Sequence, residues 1–261
     1  MKHKLILAGL LLASSAAVKA QTNSAAIRQA NLEASNPNNA EVFSPVPNPV
    51  VPAKTLGNAP SDAIVLFDGK NLDEWVSPKD QSVAKWTVGD NVLTVNKAAG
   101  DIETKRKFDN FQLHIEWKIP TVITEKGQSR GNSGIFLSGK YEIQVLDTYN
   151  NENKTYTNGM AGSVYRESIP LVNPAKPAGE WNVYDIAYTA PEFNEDGSLK
   201  SAARVTLFFN GVLVQNNVII KGGTSTGTKH VYSKHGAAAI RLQSHGDKSE
   251  PISYRNIWIR E

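Results

Sequence analysis

Apolar and polar residues alternate in short runs from Ser61 onward, the period of two expected of strands with one buried face. The runs that predict strands are Ile64–Phe67, Trp86–Val88, Val92–Val95, Phe111–Ile119, Ser133–Leu137, Tyr141–Leu146, Val183–Thr189, Arg204–Asn210, Val212–Val214, Ala238–Gln243 and Tyr254–Arg260. They are rich in β-branched and aromatic residues and bounded by Gly, Asn, Asp or Pro. Asn210-Gly211, between two apolar runs, predicts a tight hairpin. Gly89-Asp90-Asn91 and Ser138-Gly139-Lys140 predict two further turns. No stretch from Ser61 onward shows helical periodicity, and only a short helix at Ala25 to Ala34 is allowed before it. The pattern predicts an all-β domain over residues 61–261, a two-sheet antiparallel β-sandwich.

Alternation also assigns faces. Tyr141, Ile143 and Val145 share one side of their strand, and Glu142, Gln144 and Leu146 the other. A carboxylate and an amide two residues apart in an apolar strand suit a polar cleft, or else an ordinary solvated face. Phe111, Leu113, Ile115, Trp117 and Ile119 point inward, with Gln112, His114, Glu116 and Lys118 outward. Ile240 and Leu242 point inward, with Arg241, Gln243 and His245 outward. His245 sits where its strand meets the turn Gly246-Asp247, a place where functional residues are often carried. Trp75, Trp86 and Trp117 are assigned to the core.

The first sixty residues read differently. Lys2 and Lys4, the apolar run Leu5–Ala17 and the small-residue site Val18-Lys19-Ala20 predict a secretory signal peptide over residues 1–20. Cleavage near Ala20 would place the protein in the periplasm or outside the cell. Residues 21–60, rich in Pro, Asn and Ala, predict an extended arm or linker. Without Lys2, Lys4 and Lys19 the net charge falls from +3 to about 0. No Lys/Arg-rich stripe suggests nucleic acid, and no run is long enough to span a membrane as a helix. There is no cysteine and so no disulfide framework. Nothing in the chain specifies an oligomeric state.

Several chemistries lack their motifs. There is no G-x-S-x-G nucleophile elbow and no H-E-x-x-H zinc helix. Gly222–Gly227 is glycine-rich but has no phosphate-loop ending, and reads as a flexible loop. The oxygen-rich loop from Asp147 to Asn158 lacks EF-hand spacing. Retaining glycosidases use two carboxylates about 5–5.5 Å apart. Glu142 has Gln144, not a second acid, beside it on its strand face.

Ordered motifs nevertheless carry a resemblance. Leu66-Phe67-Asp68-Gly69-Lys70-Asn71-Leu72 with Trp75 is followed by Asn132-Ser133-Gly134-Ile135-Phe136, then by Tyr141 to Asp147. Gly162-Ser163-Val164-Tyr165, Gly179-Glu180-Trp181-Asn182, Asn210-Gly211, Leu242-Gln243-Ser244-His245 and Tyr254-Arg255-Asn256-Ile257 complete the series. From about Ser61 to Glu261 the chain resembles the 3-keto-disaccharide hydrolase family. Tyr254 stands where Phe is commoner, and Pro191 to Ala203 is a long insertion.

The resemblance implies a concanavalin-like jelly roll with a concave sugar-binding sheet, acting on 3-keto-disaccharides or 3-keto-glycosides. A ketone at C3 acidifies the C2 proton. A base removes that proton, the enolate expels the C1 substituent, and water adds. This needs a base, a stabiliser for the enolate oxygen and help for the leaving group. Glu142 and His245 are the candidate catalytic pair. Asn132, Gln144, Tyr165, Trp181, Gln243 and Arg255 are the candidate substrate-binding residues. Trp181 could stack on a pyranose or sit in the core, and Arg255 could bind substrate or pair with an acid. A divalent metal held by Glu142 and His245 is a further candidate for the enolate stabiliser; no other cofactor is implied. A non-catalytic carbohydrate-binding module and a glucanase-like hydrolase are the competing readings.

Overall fold

The computed structural model describes residues 44–224, 229–248 and 251–261. The signal-peptide reading, and most of the arm, lie outside them. The chain divides into two compact units, and the one that carries the strands runs from Val50 to Glu261. Its strands are β1 (Ile64–Phe67), β2 (Trp75–Val76), β3 (Thr87–Gly89), β4 (Val92–Thr94) and β5 (Ile102–Thr104). There follow β6 (Phe111–Lys118), β7 (Ser133–Leu137), β8 (Tyr141–Val145), β9 (Trp181–Thr189) and β10 (Glu192–Phe193). The rest are β11 (Leu199–Ser201), β12 (Arg204–Phe209), β13 (Val212–Ile219), β14 (Arg241–Leu242) and β15 (Ser253–Arg260). Among the described residues helix is confined to single 3-10 turns.

The larger sheet runs β13-β12-β9-β6-β15-β4-β3, with β1 also paired to β15. The smaller runs β2-β5-β14-β7-β8, and every pairing is antiparallel. The two sheets form a jelly-roll sandwich whose core holds Trp75, Trp117, Tyr141, Tyr184, Phe209 and Tyr254. Alternation places these side chains: Leu113, Ile115 and Trp117 of β6 are fully buried, as are Ile143 and Val145 of β8. Asn210 and Gly211 turn the β12–β13 hairpin with φ of 52° and 78°, the left-handed pair a two-residue turn requires. Asp90 and Asn91 do the same between β3 and β4.

Two differences from the sequence pattern bear on the site. The strand predicted at Ala238–Gln243 pairs regularly only at Arg241–Leu242, because Ile240 N–H donates to the Thr104 hydroxyl and Ala238 bridges Phe108. The outward, polar face of β6 is partly covered. His114 is only 2 % exposed, covered by a strap that precedes β1. Gly57 of the strap accepts hydrogen bonds from Asn256 Nδ2 and Trp258 Nε1, both at 2.8 Å. Val51 and Ser61 clasp its ends together.

Candidate active site

Edge strand β8 carries two consecutive outward side chains that are almost completely buried, Glu142 at 6 % and Gln144 at 1 % exposure. What buries them is irregular chain. Residues 162–165 lie along the free edge of β8, with Gly162 N–H donating to Gln144 O, Gln144 N–H to Ser163 O and Tyr165 N–H to Glu142 O. Thr224 seals the other end: its hydroxyl accepts from Glu142 N–H at 2.9 Å and donates to Lys140 O. Together these segments and β7 enclose a cavity of about 160 Å³ lined by Asn132, Phe136, Glu142, Gln144, Tyr165, Thr224, Gln243 and His245.

Local register explains how the carboxyl reaches this space. Glu142 pairs with Phe136 on β7, and its carboxyl leans over Gly134 two residues away on the same face. A Cβ at position 134 would lie 2.4 Å from Glu142 Oε1, so only glycine leaves room. The terminal atoms of Gln144 lie 3.1 Å from Glu142 Oε1 and 3.0 Å from Ser133 O, and with its nitrogen on that side the amide donates to both.

Burial pushes the Glu142 carboxyl up to about 8, against the pull of the Arg241 charge and with Asp101 adding to the rise. Arg241 lies 4.4 Å over the Phe136 ring. Asp101 does not line the cavity; it accepts from Ser244 N–H and lies 3.6 Å from Arg241 Nε. Glu142 is therefore the one carboxylate among the residues lining the cavity. Asn132 Oδ1 and Gln243 Oε1 are buried without a hydrogen-bond partner. Buried acceptors of that kind are costly unless something donates to them, and sugar hydroxyls would. His245 is turned by Asp247, whose Oδ2 lies 2.6 Å from Nδ1 and whose other oxygen takes Lys97 Nζ at 3.1 Å.

The structure thus brings Glu142, His245, Asn132, Gln144, Tyr165 and Gln243 to one cavity. It takes Trp181 and Arg255 elsewhere. They stack at 4.1 Å on the outer face of the larger sheet, and Arg255 Nε pairs with Glu116 at 2.6 Å. The alternative that Arg255 pairs with an acid is the one the structure shows. Sequence reasoning also left out Phe136, Thr224, Asp247, Arg241 and Asp101 from the site. Arg241 shares the outward face of Gln243 and could have been included on that ground; Thr224 arrives from a loop with no periodic signal.

The metal expectation finds a poor donor set. Among the described residues no three His, Asp or Glu side chains converge on one point. Glu142 and His245 supply two donors, with the His245 Nδ1 engaged by Asp247, fewer than a divalent ion takes from a dedicated protein site. In the oxygen-rich loop, Asp147 pairs with Arg130 at 2.6 Å.

Comparison with known proteins adds the following. The profile of a family described as a 3-keto-alpha-glucoside-1,2-lyase-like domain matches residues 62–260. A curated 3-keto-disaccharide hydrolase from Bacteroides thetaiotaomicron is 33% identical over 153 residues, which cover 46% of this chain and 50% of that protein. The match thus spans half the length of that relative. The crystal structure of a candidate glycosyl hydrolase from Parabacteroides distasonis is 57% identical, covers 87% of this chain and 96% of that chain, and superposes with a TM-score of 0.82. A second candidate glycosyl hydrolase from the same organism shares the fold at 20% identity, covering 76% of this chain and 93% of that chain, with a TM-score of 0.52.

Proposed function

The chain belongs to the 3-keto-alpha-glucoside-1,2-lyase-like family, and from that premise we propose a glycoside-cleaving enzyme that acts on 3-keto-disaccharides or related 3-keto-glycosides. The observation that carries this reading is the single buried carboxyl of Glu142 in a cavity with no second carboxylate in its lining. Cleavage of an unoxidised glycoside passes through an oxocarbenium-like transition state and uses two flanking carboxylates. Elimination next to a ketone needs one base, tuned near the working pH, and hydrogen-bond donors at the enolate oxygen.

The parts divide accordingly. Glu142, ionised, takes the C2 proton. Its raised pKa makes it a stronger base than an exposed carboxylate, at the cost of a smaller ionised fraction at neutral pH. The amide of Gln243 donates to the C3 oxygen as it gains charge, Gln144 holds the Glu142 carboxyl in place, and Arg241 holds positive charge behind Phe136. Asn132 Oδ1 and Gln243 Oε1 accept from sugar hydroxyls, and His245, fixed through Asp247, orients the ring. Collapse of the enolate expels the C1 group, water adds, and a free 3-keto sugar results. With the Met1–Ala20 segment as a signal peptide, the reaction takes place outside the cytoplasm.

The test is release of 3-keto-glucose from 3-keto-trehalose or a 3-keto-glucoside by purified protein, against the unoxidised sugars. Only the keto substrates should be cleaved, and their C2 position should exchange in heavy water. The rate should climb with pH through about 8 as Glu142 ionises. Glu142→Gln should cost about 10²–10⁴-fold. Equal cleavage of plain disaccharides, or full activity in Glu142→Gln, would return a glucanase-like or binding role.

A further inference from the structure

An elimination leaves one demand unmet: the departing oxygen at C1 is an alkoxide of a second sugar, a poor leaving group unless it is protonated. Resting on the elimination reading above, we propose that Tyr165 is a catalytic acid that gives its phenolic proton to this oxygen.

The edge pairing makes the two residues neighbours. Ile143 bridges Val164 and Tyr165 N–H donates to Glu142 O at 3.0 Å, so Tyr165 stands directly across from Glu142. Side chains opposite each other in an antiparallel pair share a face, with Cβ atoms about 4.5–5.5 Å apart. Both line the same cavity, and Tyr165 is buried. A base for C2 and an acid for the oxygen on C1 must reach into one cavity, because the two reacting atoms are on bonded carbons.

Of the other protic groups of the lining, His245 keeps only Nε2 for the ring it orients. The Thr224 hydroxyl donates to Lys140 O, His245 Nδ1 faces Asp247, and Glu142 has just received the C2 proton. Tyr165 instead has a positioning partner, Tyr156, and a cation suited to a phenolate, Arg166, behind it. Its oxygen lies 2.7 Å from the Tyr156 hydroxyl, and the Arg166 guanidinium lies 5.5 Å from both ring centres. Tyr156 is itself fixed: its ring lies against Gly159, where a Cβ would come within 2.1 Å. Burial, reinforced by Tyr156, pushes the Tyr165 phenol up to about 12, which keeps the proton on it at neutral pH until an alkoxide calls for it.

The sequence balances. Glu142 takes the C2 proton, and the C–H electron pair forms the enolate. That pair becomes the C1=C2 bond as the C1–O bond breaks, and the leaving oxygen takes the Tyr165 proton. Tyr165 phenolate then takes a proton from water, hydroxide adds to C1, and Glu142 returns its proton to C2. Both residues end as they began.

Leaving groups of different acidity test this. On a 3-keto-disaccharide Tyr165→Phe should lose about 10²–10³-fold. On the 4-nitrophenyl 3-keto-glucoside, whose leaving group needs no proton, the loss should stay under about tenfold. Exchange of C2 hydrogen in heavy water should persist in the variant, because the base is intact. Equal losses on both substrates, or none on the disaccharide, would overturn the assignment. Should Tyr165→Phe fail to fold, Tyr156→Phe carries the same test, with a smaller loss again confined to the disaccharide. If the unaltered protein neither exchanges C2 nor cleaves the nitrophenyl substrate, elimination itself fails and this role with it; a defect specific to Tyr165→Phe with normal exchange separates the two.

Discussion

Glu142 owes its position to a missing side chain. Its Oε1 occupies space that a Cβ at residue 134 would take, so Gly134→Ala must push the carboxyl away from Gln144. Displacement of a reacting group by about 1 Å can cost roughly 10²-fold. Gly134→Ala should therefore lose C2 exchange on that order while circular dichroism still reports the β-sandwich. Glu142 also exacts a cost in stability that can be read against pH. Its folded-state pKa, about 8, lies above the ordinary 4.5. The folded protein therefore binds the proton more tightly, and stability is fully present below about 4.5 and falls as pH rises through 8. Glu142→Gln should flatten this slope, so that the variant melts higher than the parent at pH 8.5 and gains less at pH 5. A higher melting point with lost activity is the expected pairing for a buried base.

At the scale of elements, the strap before β1 rests on one charged cluster of the larger sheet. Burial lowers the pKa of His114, but Asp185 at 2.6 Å and Glu116 overcome it and raise the imidazole to about 9. Burial likewise raises Glu116, yet hydrogen bonds from His114, Asn256 and Arg255 hold it down at about 2. The protonated ring stacks 5.1 Å from Trp258, which with Asn256 holds the Gly57 carbonyl. For a raised His pKa the stabilisation is whole below about 6.5 and is lost as pH rises through 9. The shift corresponds to about 3 kcal/mol. The melting temperature should drop between pH 7 and 10, with amides near Gly57 exchanging faster, and His114→Gln should abolish most of that dependence. None of this was legible in β6 itself. Alternation put His114 on the polar face, but the residues that cover it lie far back along the chain. Short strands were missed for a related reason: two or three residues, as in Trp75–Val76 and Ile102–Thr104, are too few to show a period.

For the whole molecule, the sandwich and most of its strands were readable because the alternation of core residues such as Leu113, Ile115, Ile143 and Val145 is a local property. The polar face of β8 was readable for the same reason, and Gln243 and His245 by the alternation around Leu242. What joined them into one cavity was not local. It required β14 to insert beside β7, and two loops to close over an edge strand. Arg255 and Trp181 carry equally suggestive chemistry on an equally clean polar face, and only the assignment of strands to sheets separates them from Glu142. The strap and the cavity consequently lie on opposite outer surfaces of the sandwich, since His114 points out from the larger sheet and Glu142 from the smaller. The Gly57 strap thus packs on the back of the domain. Loosening Gly57 from Asn256 and Trp258 would therefore reach the chemistry only through the thickness of both sheets.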